Sequence, residues 1–160
     1  MNTWQTIRHK EASGTNVSII EIGNVQQFAK RLTVLVVDDN PVVLELAASI
    51  VEELGYQVVM AGDGFQALLQ LKAAPCQLVL TDYEMPSING YQLAKKVKSQ
   101  FAETRVVIMT GLCQDQVTEL MEDREIDGWL FKPFNLELLK AMLWQVGFPE
   151  TDKSKARLTS

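Results

Sequence analysis

The chain has 160 residues, of which 47% are hydrophobic and 22% are charged. This composition is typical of one globular domain of roughly 100–150 residues with additional chain at its ends. The net charge of −5 is uneven: residues 33–148 carry eight Lys and Arg against sixteen Asp and Glu, whereas residues 1–32 and 149–160 are both net positive. The acidic middle argues against direct nucleic-acid binding there, which requires clustered basic side chains.

Membrane and export signals are missing from the sequence. No stretch approaches the ~20 consecutive apolar residues of a membrane span, and no apolar run with a small-residue cleavage site opens the chain. Cys76 and Cys113 lie far apart without metal-ligand spacing, which favours two free thiols in a reducing compartment. These features predict a soluble cytoplasmic protein without a membrane partner.

From residue 33 onward, short apolar runs alternate with amphipathic stretches. Runs rich in β-branched residues, such as Thr33–Val37, predict buried strands. Pro41 favours the first turn of a helix, with Asp39 or Asn40 as its cap, and Gly55 ends that helix. The predicted strands are 33–37, 57–61, 77–81, 105–109 and 127–131, and the predicted helices are 41–54, 65–73, 91–100, 114–124 and 136–146.

Five successive strand–helix units predict the fold class. Parallel strands need crossover connections, so this alternation indicates an α/β domain with a doubly wound parallel sheet and helices on both faces. Periodicity alone leaves the strand order open.

Polar side chains recur where the predicted strands end. In an open α/β sheet, ligands bind at the carboxyl ends of the strands. Taken singly, these residues also fit ordinary helix caps, turns and strand ends. As a set they are harder to explain that way, because they come from four separate strands. Asp38 and Asp39 follow the first strand, Asp82 follows the third, Thr110 ends the fourth, and Lys132 ends the fifth.

The three carboxylates imply a cation. Two carboxylates ~4 Å apart repel by roughly 4 kcal/mol at an effective dielectric of 20, so three that converge need compensation. Oxygen ligands without His or Cys favour Mg²⁺ over zinc. An Asp carboxylate can act as a nucleophile and form an acyl phosphate, while a metal and a lysine offset the charge of the transferring group. The constellation therefore predicts phosphoryl chemistry.

Four segments together resemble the receiver domain of two-component response regulators. They are VLVVDDN (34–40), LVLTDYEMPSING (78–90), VVIMTG (106–111) and GWLFKPF (128–134), and AGDGFQALL (61–69) resembles the second strand–helix unit of the family. The resemblance covers residues 32–148 and implies a flavodoxin-like (βα)5 sheet of order 2-1-3-4-5. Residues 1–31 would form an N-terminal extension, partly ordered or flexible, and residues 149–160 a tail or linker.

The resemblance also implies a role for each site residue. Asp82 would be the phosphoacceptor. Mg²⁺ would be bound directly by Asp39, Asp82 and the backbone carbonyl of Glu84, and through water by Asp38. Lys132 would bind the phosphoryl group, next to a cis Lys132–Pro133 bond. Thr110 would be the switch hydroxyl, and Trp129 would stand at the aromatic switch position, where the smaller tyrosine or phenylalanine is commoner. Glu84 and Leu112 occupy positions at which the family varies acyl-phosphate lifetime.

A receiver implies protein partners. A histidine kinase or phosphotransfer protein would phosphorylate Asp82, and the fourth helix, fifth strand and fifth helix would then engage a downstream protein. Dimerisation on phosphorylation is a further expectation. The chain would be a signalling switch, as a diffusible output protein, a relay intermediate or part of a longer regulator, and not an enzyme with turnover.

Two other functional classes stay open on the sequence. A phosphatase that forms an aspartyl phosphate needs a second acid two residues after its nucleophile, where Glu84 stands. A flavin-binding module would need a Ser/Thr-rich phosphate loop after the first strand, and none is present.

Several residues receive structural interpretations. Trp144 is expected to be a packed aromatic, and Tyr83 a packing or surface residue. Residues 17–22 (VSIIEI) have strand-like composition and would be disordered, join a sheet edge or pair with a partner chain. His9, the single histidine, lies in the N-terminal segment without a helical-bundle pattern, so it is not expected to be phosphorylated.

Overall fold

Five strands alternate with five helices along residues 32–148, the part of the chain that the computed structural model describes. The predictions for residues 17–22, His9 and the C-terminal tail lie outside this range. The strands are β1 (Thr33–Val37), β2 (Gln57–Ala61), β3 (Leu78–Asp82), β4 (Arg105–Thr110) and β5 (Gly128–Phe131), and the helices are α1 (Pro41–Glu53), α2 (Gly64–Ala73), α3 (Gly90–Gln100), α4 (Gln114–Met121) and α5 (Leu136–Gln145).

The strands form one parallel sheet in the order β2-β1-β3-β4-β5. This confirms the predicted doubly wound, flavodoxin-like fold. Val37 pairs with Thr81, Asp82 with Met109, and Thr110 with Phe131. The register therefore brings the carboxyl ends of β1, β3, β4 and β5 to one edge of the sheet.

The helices cover both faces of the sheet. One core cluster contains Ala47 and Val51 of α1 with Leu139 and Leu143 of α5. The opposite cluster contains residues of α2, α3 and α4. Because both faces are buried, the strands are apolar along nearly their whole length, as expected for a parallel sheet. No helix within residues 32–148 combines the length and apolarity needed to cross a membrane.

Helix α4 is shorter than predicted. It ends at Met121 and not at residue 124. The side chain of Asp123 accepts a hydrogen bond from the N–H of Glu125 at 2.9 Å, and its carbonyl accepts one from Ile126 at 3.1 Å. Asp side chains that bond the backbone two residues on favour turns over helices, which ends the helix early.

The prediction that Trp144 is packed is wrong, because its side chain is 68% exposed. The inward stripe of α5 contains Leu139 and Leu143. One further residue turns a helix by about 100°, so Trp144 faces solvent. Tyr83, in contrast, is partly buried and packs against a core cluster. This agrees with the first of the two roles expected for it, packing or surface exposure.

Candidate functional site

Three carboxylates meet at the carboxyl edge of the sheet. Asp38, Asp39 and Asp82 each place one oxygen within 4.8 Å of the others. Asp38 is 1% exposed and Asp82 is 6% exposed, whereas Asp39 is exposed. The N–H of Asp38 donates to the carbonyl of Ala61 on β2 at 3.3 Å, so Asp38 continues the β1 ladder by one residue. The sheet itself therefore brings these acids together.

Lys132 bridges two of the carboxylates. Its Nζ lies 2.9 Å from Oδ2 of Asp38 and 2.7 Å from Oδ1 of Asp82. The backbone N–H of Lys132 donates to the carbonyl of Thr110 at 2.7 Å, which ties it to β4. The Lys132–Pro133 bond is cis, as the resemblance implied. The cluster thus holds one ammonium in direct contact with two buried acids, with the carboxylate of Asp39 nearby.

The protonation equilibria of Asp82 and Lys132 reflect this contact. Burial raises the pKa of Asp82 because its carboxylate loses hydration, and Lys132 opposes the shift only in part. Burial by itself would lower the pKa of Lys132, but its hydrogen bonds to Asp82 and Asp38 outweigh that effect and raise the pKa. Lys132 is therefore positively charged at neutral pH and offsets part of the negative charge of the cluster.

The donor set fits Mg²⁺. Oxygen ligands of a six-coordinate Mg²⁺ lie at about 2.1 Å from the ion, and hence at most about 4.2 Å apart. The three carboxylate oxygens, within 4.8 Å of one another, approach this spacing. Because Lys132 already contacts two of these acids, a bound ion would share them with the ammonium.

Asn40 supports the site from the start of α1. Its side chain accepts a hydrogen bond from the N–H of Val42 at 3.0 Å, which makes Asn40, and not Asp39, the helix cap. Its own N–H donates to Oδ1 of Asp38 at 2.9 Å. Capping the helix with Asn40 leaves the carboxylate of Asp39 available to the acid cluster.

The two expected switch residues are buried. Thr110 is 0% exposed, and its hydroxyl oxygen accepts from the N–H of Leu112 at 3.0 Å. Trp129 is 7% exposed, and its ring centroid lies 6.1 Å from that of Tyr83. Among the described residues, Nε1 of Trp129 is the buried side-chain polar atom that has no hydrogen-bond partner. Glu84 is exposed in the loop after β3, and the role of its carbonyl stays a prediction.

Trp129 is expected to report on the site. In a variant with Trp4 and Trp144 replaced by phenylalanine, its fluorescence should resist acrylamide quenching because the indole is buried. Adding Mg²⁺ should change the emission, since Tyr83, which packs near Trp129, directly follows Asp82. A flat Mg²⁺ titration in this variant would argue against communication between the acid cluster and Trp129.

Sequence reasoning missed two residues that contact the backbone of Asp82. The buried hydroxyl of Thr81 donates to the Asp82 carbonyl at 3.1 Å, and Gly90 packs against the same carbonyl. Thr81 resembled any β-branched strand residue, and Gly90 resembled any loop glycine. The PSING loop was the available signal, because it returns the chain to the strand end.

A parallel sheet of order 2-1-3-4-5, with an acid cluster and a lysine at its carboxyl edge, defines a flavodoxin-like domain of the receiver class. The family model of the response regulator receiver domain matches residues 34–144. The chain therefore belongs to the response regulator receiver family, the receiver domains of two-component systems.

The curated relatives of this chain are longer proteins that match it over a short segment. The chain is 36% identical over 106 residues to a gliding motility regulatory protein of Myxococcus xanthus, covering 65% of this chain and 14% of that protein. It is 33% identical over 112 residues to the sensor histidine kinase RcsC of Salmonella typhimurium, covering 70% of this chain and 12% of that kinase. The chain thus spans about one eighth of the length of these curated relatives.

One similar solved structure contains a magnesium complex. The response regulator protein TrrA from Thermotoga maritima, in complex with Mg(2+)-BeF, is 27% identical with a TM-score of 0.65. The alignment covers 72% of this chain and 98% of that one.

Proposed function

We propose that Asp82 accepts a phosphoryl group from a phosphohistidine-bearing protein and thereby switches a protein-interaction surface. The observation that carries this proposal is the contact of Lys132 Nζ with both Asp38 and Asp82, at 2.9 and 2.7 Å. A nucleophilic carboxylate needs a fixed cation beside it to offset charge on the transferring oxygens. Asp82 has that cation in contact at 2.7 Å and two further acids within 4.8 Å.

The residues divide the chemistry between them. An oxygen of Asp82 attacks phosphorus, the bond from phosphorus to the donor nitrogen breaks, and the imidazole leaves with the bonding electrons. Lys132 moves its contact from the carboxylates to a phosphoryl oxygen. Mg²⁺, held directly by Asp39, Asp82 and the carbonyl of Glu84 and through water by Asp38, would neutralise charge on the other oxygens when bound. Thr110 then donates a hydrogen bond from its hydroxyl to an oxygen of the new phosphoryl group.

Several features support a macromolecular partner on the donor side. The acid cluster opens at Asp39, next to the first turns of α1. There Val42 is 73% exposed and Leu46 is 52% exposed, and large exposed apolar side chains next to a reactive group suit contact with a protein. The kinship with sensor histidine kinase RcsC fits a phosphohistidine donor.

The output side of the proposal rests on Thr110 and Trp129. A shift of the Thr110 hydroxyl towards a phosphorylated Asp82 would remove its bond to the N–H of Leu112 and alter the start of α4. The packing of Trp129, a β5 residue that shares a core cluster with Val117 of α4, would change with it. A downstream protein would then recognise α4, β5 and α5, with dimerisation as a second form of output.

Acetyl phosphate tests the proposal without knowledge of the natural donor. Intact mass measurement is expected to show one phosphoryl adduct in the presence of Mg²⁺ and none when EDTA removes the metal. Sustained hydrolysis of p-nitrophenyl phosphate, with no stoichiometric adduct, would instead support the phosphatase alternative. No adduct in either buffer would overturn the proposal.

A further inference from the structure

The start of α3 presses against the backbone of Asp82. A Cβ atom added to Gly90 would lie 2.1 Å from the carbonyl oxygen of Asp82, 2.9 Å from its carbonyl carbon and 3.0 Å from Cα of Tyr83. All three are backbone atoms, which cannot rotate aside as the end of a side chain can. Where two backbone segments approach this closely, only glycine fits because it has no Cβ atom.

Three hydrogen bonds hold the backbone of Asp82 and Tyr83. The hydroxyl of Thr81 donates to the carbonyl of Asp82 at 3.1 Å. The N–H of Tyr83 donates to the carbonyl of Met109 on β4 at 2.7 Å, and the Tyr83 carbonyl accepts from the N–H of Gly90 at 2.9 Å. The peptide between Asp82 and Tyr83 is thus bonded to Thr81 and to β4, and the carbonyl of Tyr83 that follows it is bonded to the start of α3.

We infer that Gly90 is a positioning residue for phosphoryl transfer, with Thr81 as its partner on the same carbonyl. This inference rests on the proposed function of Asp82. A methyl group at position 90 needs roughly 1 Å more room than the backbone of Asp82 leaves. Misplacing a reacting group by about 1 Å can reduce a rate by about 100-fold.

Other glycines of the domain provide matched controls. A Cβ at Gly111, directly after Thr110, would meet nothing within 4 Å. A Cβ at Gly64 would lie 3.0 and 3.2 Å from side-chain atoms of Ile88, in the same β3–α3 loop but away from the Asp82 backbone. Gly111→Ala therefore controls for a methyl group near the site, and Gly64→Ala controls for strain in the loop.

The experiment compares Gly90→Ala, Gly111→Ala and Gly64→Ala. The measured quantities are the limiting rate of adduct formation at saturating Mg²⁺ and acetyl phosphate, the half-saturating acetyl phosphate concentration, and the urea midpoint of unfolding. For Gly90→Ala we expect the limiting rate to fall about 100-fold with little change in half-saturation. Gly111→Ala should keep the wild-type rate, and Gly64→Ala should lower the urea midpoint without a matching loss of rate.

The outcomes separate this inference from the proposed function. If the wild type forms no adduct, the proposed function fails. If the wild type reacts and Gly90→Ala reacts equally fast, only the positioning role is overturned. The positioning role is also overturned if the limiting rate falls as much in Gly64→Ala as in Gly90→Ala.

A second pair of variants decides the question if Gly90→Ala does not fold. Thr81→Val removes the donor to the Asp82 carbonyl but keeps the shape of the side chain, and Thr81→Ser restores the hydroxyl. A low limiting rate of adduct formation in Thr81→Val, together with a wild-type rate in Thr81→Ser, supports positioning of the Asp82 backbone. A Thr81→Val variant as fast as the wild type contradicts it.

Discussion

Replacing Lys132 with methionine is expected to lower the free energy of unfolding by about 3 kcal/mol in metal-free buffer at neutral pH. Lys132 contacts Asp38 and Asp82, which are 1% and 6% exposed. Methionine keeps most of the packing volume but leaves two buried carboxylates beside Asp39 without a cation. The estimate is at the low end for a broken buried pair because the Lys132 side chain is 23% exposed. Urea unfolding followed by circular dichroism measures the change.

Mg²⁺ is expected to reverse much of this loss. A divalent ion supplies the charge that Lys132 no longer provides, so the variant should gain more stability from Mg²⁺ than the wild type does. Phosphoryl acceptance should stay at least 100-fold slower, because the missing ammonium contacts the transferring group. Lys72→Met, an exposed substitution on α2, controls for the loss of a positive charge. A Lys132→Met variant that is as stable as the wild type without metal would contradict the electrostatic role of Lys132.

Asp82→Asn is expected to abolish the phosphoryl adduct while making the metal-free protein more stable at neutral pH. A carboxamide cannot act as the nucleophile. It can still accept a hydrogen bond from Lys132, and it removes a charge that burial disfavours. Intact mass after acetyl phosphate and Mg²⁺ measures the first effect, and urea unfolding measures the second. Glu119→Gln, an exposed change on α4, should keep the adduct.

The stability difference should depend on pH in a defined direction. Because the pKa of Asp82 is raised in the folded state, the ionised form costs stability at pH values above that pKa. The advantage of Asp82→Asn is therefore present at neutral pH and disappears as pH falls through the folded pKa towards the ordinary value of 3.8. An advantage that grows towards acid pH would mean that the pKa of Asp82 is lowered by folding.

The sequence predicted the fold well because the sheet is buried on both faces. Runs such as Val34–Val37 and Val106–Met109 are apolar throughout, and any polar residue at their ends stands out. That contrast is why Asp38, Asp82 and Thr110 could be singled out before any coordinates were known. Strand order came from the resemblance, since periodicity contains no information about which strands are neighbours.

Other features depend on contacts between distant parts of the chain. Lys132 bridges Asp38 across 94 residues of sequence and Asp82 across 50, which strand-end positions suggest but do not require. The contact of Gly90 with Asp82 does not follow from the sequence, because the PSING loop indicates a return of the chain to the end of β3 but does not distinguish this glycine from one needed for a turn. The prediction for Trp144 is wrong because it follows from residue type alone, whereas the position of Trp144 directly after the inward-facing Leu143 on α5 turns the indole to solvent.

Mapping the modified residue tests the central claim most directly. Borohydride reduces an acyl phosphate to an alcohol and so converts a phosphorylated aspartate to homoserine, which peptide mass spectrometry can locate. After treatment with acetyl phosphate and Mg²⁺, we expect homoserine at position 82 and unmodified acids at 38, 39 and 84. Homoserine at one of those three positions, or an adduct that resists reduction, would contradict the assignment of Asp82 as the phosphoacceptor.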